Sequence, residues 1–505
     1  MAMRSGGLRV SRFEGLNGAP FSPSIIQTFK LVVTALILAG RTASAQQITL
    51  REAVDRAQKQ SFQATAVTAT RDAARATEHA FGARRLPQLS FNAVAPEFSK
   101  DIIPVTLEDG TTRFVPVQQT VARGGLTVSQ VLPFTGATFS VNSSLQRYER
   151  TGTQAGLTWT SSPVRFQLDQ PIFRPNELRW TGRESVVELE AAERQYLENR
   201  EGVALQATAA FFDLYIASRQ LENATANAAT NDTLYNLNKG RLEIGKIGEN
   251  DLLQSELELL KARSALDNAK LDYQRALAAF RLAVNLETDA AVEVVIPTAV
   301  PAIQADTALA VQQALRNRAR ISDLELQQLQ ARHAVAKARL DGGPGAMMSA
   351  SVGFNQTAPE MGLAYQDLLQ AQRFQLSLSI PVFNWGARGA DVQAARSSQK
   401  RVEALGKQAR EELTQEAHFA ALQLAQAGRN LDVNAKADTV AAKRFEVAYN
   451  RYVIGRIGID NLYIAQNEKN QAVTQYLQAL RNYWMAYYRL RQSTLYDFEA
   501  GQPIR

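Results

Sequence analysis

The 505-residue chain has no cysteine. That excludes a disulfide scaffold and a thiolate metal site, and with them a mature N-terminus anchored by lipid on a cysteine. Histidine is nearly as scarce. The three present, His79, His333 and His418, sit in alanine-rich helical contexts with no metal-ligand residue three or four positions on. G-x-S-x-G, phosphate-loop and H-E-x-x-H patterns are missing too. Asp341-Gly-Gly-Pro-Gly345 is followed by no Lys-Ser/Thr and reads as a turn. No converging set of reactive groups remains, so neither an enzyme nor a bound cofactor or metal is expected. Long apolar runs are also absent: mean hydropathy is −0.23, which argues against a bundle of apolar membrane helices. It leaves room for a membrane β-barrel, whose alternating strands give only a weak hydropathy signal. An excess of one charge is lacking as well. The net charge is +7, from 56 basic and 49 acidic groups. Residues 1–45 hold Arg4, Arg9, Arg12, Lys30 and Arg41 against Glu14, so residues 46–505 carry 51 basic and 48 acidic groups, about +3. Nucleic acid is not an expected partner.

The first 45 residues are expected to be a leader. Lys30 precedes the apolar run 31–40, and Ala43-Ser-Ala45 precedes Gln46. A basic flank, a short apolar core and A-x-A form a cleaved export signal. Ten apolar residues are too few to span a bilayer, which takes roughly 20.

The second feature is an internal duplication. Leu168-Asp-Gln-Pro-Ile-Phe173 aligns with Leu378-Ser-Ile-Pro-Val-Phe383, and Ile244-Gly-Lys-Ile-Gly248 with Ile454-Gly-Arg-Ile-Gly458, both at an offset of 210. Arg241 and Arg451, and Tyr273 and Tyr483, repeat that offset. The chain therefore divides into a leader (1–45), a first repeat (46–286), a Pro- and Val-containing connector (287–307, with Pro297 and Pro301), a second repeat (308–496) and a tail (497–505).

Each repeat opens on a helix, Thr49 being placed to cap the first. Strand regions come next, over 86–172 and 345–383. Val164, Phe166 and Leu168 alternate with polar residues, as do Phe374, Leu376, Leu378 and Ile380, giving one apolar and one polar face. Such strands suit a barrel wall or a soluble sandwich equally. The first strand region is the longer, and its excess contains a hairpin at 126–145 around Pro133-Phe-Thr-Gly136. Four strand regions are well supported and six are conceivable. Both counts fall short of the eight or so that close the smallest barrel, so a membrane wall needs several chains.

Beyond Phe173 and Phe383 the period changes to about 3.5. Residues 175–238 and 386–450 read as helices that span about 96 Å at 1.5 Å per residue. The returning helices carry heptads, Tyr476, Leu480, Tyr483, Tyr487 and Leu490 in one and Leu266, Tyr273, Leu277, Phe280 and Val284 in the other. Their aromatics are read as packing. Pro171 and Pro381 stand where strands end. Gly245, Gly248, Gly455 and Gly458 turn the chain at tips 244–251 and 454–461, and Asn250/Asp251 and Asp460/Asn461 are placed to cap the returning helices.

These elements together resemble the TolC-like outer-membrane factors of tripartite efflux and type I secretion. The resemblance rests on Thr49-Leu-Arg-Glu-Ala-Val-Asp-Arg-Ala57, Leu86-Pro-Gln-Leu-Ser90, the junctions at Pro171–Phe173 and Pro381–Phe383, and both glycine tips. It implies an α+β membrane protein: a homotrimer with a twelve-strand outer-membrane barrel continued by a periplasmic α-helical barrel. Its partners would be a periplasmic adaptor, an inner-membrane pump and outer-membrane lipid. Adaptor-facing residues would be Ile244, Gly245, Lys246, Gly248, Ile454, Gly455, Arg456 and Gly458. The periplasmic gate would use Asp251, Tyr452, Asp460 and Asn461. Asn461 and Ile464 stand where some members carry pore carboxylates, and Asp460 is displaced by one position, so an aspartate ring is not expected. The rival reading is an exported coiled-coil spacer or adhesin with a soluble strand domain.

Overall fold

The computed structural model describes residues 46–106, 110–151, 155–287, 292–296, 303 and 305–504. The expected export signal, residues 1–45, and Pro297 and Pro301 of the connector lie outside the described residues.

Strand β1 (Gln46–Thr49) leads into α1 (Leu50–Gln60) and α2 (Phe62–Arg84). Thr49 caps α1 through a reciprocal box: its hydroxyl accepts from the Glu52 N–H, and the Glu52 carboxylate accepts from the Thr49 N–H. That carboxyl is held below its ordinary range by the Thr49 backbone bond first and by the Thr49 hydroxyl second. Four strands come next: β2 (Gln88–Thr106), β3 (Thr112–Val131), β4 (Thr138–Thr151) and β5 (Gly156–Ile172). Then come the long helix α3 (Glu177–Glu243) and the return helix α4 (Glu249–Val284). After β6 (Val292–Val295) the plan recurs with α5 (Thr307–Asn317), α6 (Ala319–Asp341), β7 (Gly345–Ala358), β8 (Leu369–Ser379), α7 (Ala387–Val453) and α8 (Ile459–Thr494). Two short strands, β9 (Tyr496–Asp497) and β10 (Gln502–Pro503), form a hairpin in the tail.

β2, β3, β4, β5, β7 and β8 form one antiparallel sheet in that order, and its edges are β2 and β8. The hairpin read at 126–145 is the β3–β4 pair, closed at Leu132 and Ala137 and lying inside the sheet. β8 stops at Ser379, so Pro381 and Phe383 lie beyond the strand instead of ending it. A proline at the edge of a ladder has no N–H to extend it.

Helices pack in the order of the strands they serve. Near the sheet the layer runs α2, α3, α6, α7; farther away it runs α4, α3, α8, α7. The main core sits between these layers, where α1 and α5 pack against the long helices and β1 pairs in parallel with β6. Phe211, Phe212, Phe280, Trp484, Tyr487 and Leu490 fill it. Within it, Glu201 is 1% exposed and its carboxylate accepts from Arg491 at 3.1 Å, an ion pair that burial makes costly unless it is fully bonded. Arg491 also donates to Asp497 at 2.6 Å, which ties down the tail.

Candidate functional site

The sheet has two unlike faces. On one, cross-strand register sets Leu89 opposite Val128, Val128 opposite Val141, Val141 opposite Phe166 and Phe166 opposite Val352. A second row runs Phe139, Leu168, Ala350, Phe374. These side chains are open to the surroundings: Phe91 is 68% exposed, Phe166 44%, Val352 45% and Phe374 71%. The Phe139 and Phe166 rings stack at 6.4 Å. The other face carries Thr127, Asn142 and Arg165 in one row and Ser129, Ser140, Gln167, Ser351 and Arg373 in the next. Asp169 there accepts from Ser349 at 2.7 Å and from Gln167 at 2.7 Å. Gln130, opposite Phe139, and Gln372, opposite Val352, interrupt the apolar rows, but an exposed apolar face this broad marks a surface that meets lipid or another protein.

The junctions lie at one end of this sheet. Pro171 is still paired, opposite Met347, and Phe173 turns the chain with φ 58°. Asn176 then caps α3 by accepting from the Arg179 N–H, while its amide donates to the Pro133 carbonyl of the β3–β4 turn. In the second repeat Pro381 and Phe383 lead to Trp385 (φ 53°) and Gly386 (φ 81°). The Phe383 and Trp385 rings meet edge to face at 4.5 Å. Phe134, Phe173, Phe383 and Trp385 are all strongly exposed at this level.

The tips are at the far end of the helices, and the two have the same backbone. At the first, the Gly245 N–H donates to the Leu242 carbonyl and the Lys246 N–H to the Arg241 carbonyl. At the second, Gly455 donates to Tyr452 and Arg456 to Arg451. This is the double closure of a helix whose next residue is left-handed, and Gly245 (φ 68°) and Gly455 (φ 74°) supply that residue. Ile244 and Ile454 project into solvent, 66% and 64% exposed. The returning helices are not capped by the expected side chains. Gly248 and Gly458 are the N-caps, with no side-chain bond, and Asn250, Asp251, Asp460 and Asn461 lie inside the first turn. The chain enters helical geometry directly after each glycine, so the acids act on the helix dipole.

Tyr452 and Asp251 are near one another but joined through two other residues. The Tyr452 hydroxyl donates to Asn238 Oδ1 at 2.6 Å, Asn238 Nδ2 donates to Ser255 Oγ at 2.6 Å, and Ser255 donates to the Asp251 backbone carbonyl at 2.7 Å. Asn238 and Ser255 are fully buried. Sequence reading missed both; a buried Asn in a long polar helix has no distinguishing pattern. Burial pushes the neighbouring Tyr463 hydroxyl up to about 12, so it stays protonated. Arg241 closes the group: its guanidinium lies 5.0 Å from the Tyr452 ring and donates to the Val453 carbonyl at 2.9 Å. Asp460 meets a different partner, accepting from Gln254 at 2.7 Å.

A strand sheet with one lipophilic face, carried on helical hairpins about 100 Å long, has the fold of outer-membrane channel subunits. The Campylobacter jejuni CmeC outer membrane channel superposes with TM-score 0.65 at 15% identity, over 90% of this chain and 86% of that one. The Vibrio cholerae outer membrane protein VceC gives 0.64 at 14% identity, over 90% and 97%. The open state of the Neisseria gonorrhoeae MtrE outer membrane channel gives 0.60 at 16% identity, over 88% of each. By sequence, residues 117–286 match the family model described as Outer membrane efflux protein, and the chain resembles that family. No curated protein matches the chain.

Proposed function

We propose that the chain is a subunit of an outer-membrane efflux channel, a passive duct for substrates handed over by an inner-membrane pump and a periplasmic adaptor. The observation that carries this reading is the sheet's apolar, exposed face. Three copies pool their strands into a closed barrel, because an open sheet edge has no partner for its backbone groups in lipid. The apolar rows then meet hydrocarbon and the Arg165 and Arg373 rows face the lumen. Phe134, Phe173, Phe383 and Trp385 fall where aromatic side chains anchor a barrel at the membrane surface. The helices extend the duct into the periplasm, and the tips, led by Ile244, Lys246, Ile454 and Arg456, meet the adaptor.

The group around Tyr452 is the closing latch in this reading. Its bonds bind the end of α7 to α3 and α4, and opening requires a partner that favours the separated arrangement. The reading is tested in planar bilayers with protein extracted from outer membranes. Stepwise conductance, raised by the combined substitutions Tyr452→Phe and Asp251→Ala, is expected. Folded, membrane-extracted protein that never gives discrete steps would refute the duct.

A further inference from the structure

The two free edges of the sheet, β2 and β8, belong to the same two sides of the molecule as the free edges of the helix layers. One side is β2 with α2 and α4; the other is β8 with α7. Each side also shows an apolar stripe turned away from its own chain. On α4, Leu253, Leu257 and Leu260 are each more than half exposed and lie opposite the buried Ser255 and Leu259. On α7, Val433, Val440 and Val447 recur every seven residues, all at least half exposed, opposite Leu424 and Leu431. Heptad-spaced apolar positions on an unpartnered helix side fit another helix of like kind.

The sheet itself gives six strands per copy, and the widths agree with that number. Four helices side by side, at 8–10 Å between axes, span about 36 Å. A strand 4.8 Å from its neighbour and tilted by 35–45° occupies about 6 Å of circumference, so six strands span about 37 Å. The six-strand sheet therefore matches the four-helix layer beneath it. β3 and β4 stand between β2 and β5, although α2 and α3, which β2 and β5 join, pack directly together. They carry the same rows as the rest, Leu126, Val128, Phe139 and Val141 on the apolar face and Thr127, Ser129, Ser140 and Asn142 on the polar one. They are wall, not ornament. At the edges, β2 runs away from the helices and β8 runs towards them, so pairing between copies is antiparallel, as it is throughout the sheet. Leu89 and Phe91 on β2 lie on the same face as Leu376 and Leu378 on β8, so the apolar rows continue across the seam.

We infer that β2 of one copy pairs with β8 of a second copy of this chain, and that the trimer closes an eighteen-strand barrel, not the twelve-strand barrel that the family likeness implies. This rests on the channel reading above. Barrels of 16–18 strands enclose an aqueous channel, so the outer-membrane segment is as wide as the helical duct and does not constrict it.

The cysteine-free sequence makes the test clean. Ser90→Cys on β2 is combined in turn with Gln375→Cys, Ser377→Cys and Ser379→Cys on β8, and the same β8 series is combined with Ser140→Cys on β4. All of these positions are on the polar face. Outer membranes are then treated with copper phenanthroline or a short bis-maleimide. At least one β2–β8 pair is expected to give covalent dimers and trimers, with no product from the β4 series or from single-cysteine controls. Linkage through β4 would place β2 and β3 outside the wall. An intramolecular link between Ser90→Cys and Arg165→Cys, which the six-strand sheet keeps apart by two intervening strands, would place the β3–β4 hairpin outside it. Either result would overturn the eighteen-strand barrel while leaving the trimeric channel intact. The absence of linkage in both series would overturn the closed trimer itself, and with it both readings.

Discussion

Below the sheet the two halves of the chain are matched in length; within it they differ by a factor of two. Helices α3 and α7 each have 67 residues, and α4 and α8 each have 36. Both tips close through the same backbone bonds. Yet the first half gives the sheet four strands and the second gives two. In the proposed ring the lengths of neighbouring helices are coupled, because a longer helix would carry its tip past the plane where the tips are proposed to meet the adaptor. A pair of strands can be added to a wall without that constraint, since a hairpin starts and ends at the same level. The Pro133–Ala137 turn does so, tied to Asn176 at the start of α3.

The return helices differ as well. α8 buries sixteen residues and α4 four. α8 lies between α3 and α7, while α4 is at an edge. This contrast predicts the largest difference between equivalent substitutions. Leu490→Ala in α8 should cost the subunit about 2–5 kcal/mol, read as a lower urea midpoint of the detergent-solubilised protein. Leu257→Ala in α4 should leave the subunit within about 0.5 kcal/mol but lower the temperature at which trimers dissociate on gels. Equal effects of the two on the subunit would break the assignment of α4 to an interface.

The tips should behave alike. Gly245→Ala and Gly455→Ala each force a side chain into left-handed geometry at a cost of about 1–2 kcal/mol. Nothing lies within 4 Å of a Cβ at either position, so strain alone acts. Adaptor affinity measured by surface binding should fall for both; a loss confined to one tip would show that the halves are used unequally. The latch is unequal by construction. Tyr452→Phe removes a buried bond worth about 0.5–1.5 kcal/mol per copy, and open-channel occupancy should rise at least tenfold over three copies. Asp251→Ala alone should change little, because its carbonyl, not its carboxylate, accepts from Ser255. The smallest effect is in the lumen. Arg165→Glu with Arg373→Glu should move the reversal potential in a salt gradient towards cation preference, by millivolts.

Much of the fold was legible in the sequence, for physical reasons. Glycines at equal spacing mark left-handed residues; heptads mark the helix seams; alternation marks a two-faced sheet. The β1–β6 pair was not legible, because four-residue strands carry no periodic signal and their partners are 246 positions apart. Nor was the true partner of Tyr452. Asn238 lies in the last two turns of α3, where an asparagine usually meets water, and it is buried because Tyr452 of α7 and Ser255 of α4 both close on it. Asn250 and Asp251 look like caps in the sequence because a capping residue type two or three positions inside a helix has the same signature as one at its start.

The most direct test of the duct is electron cryomicroscopy of the protein extracted from outer membranes and viewed end-on. A three-fold ring around one continuous lumen, with each copy joined to the next through β2 and β8 and through α4 and α7, is the predicted image. A monomer, or an assembly with a filled centre, would contradict it.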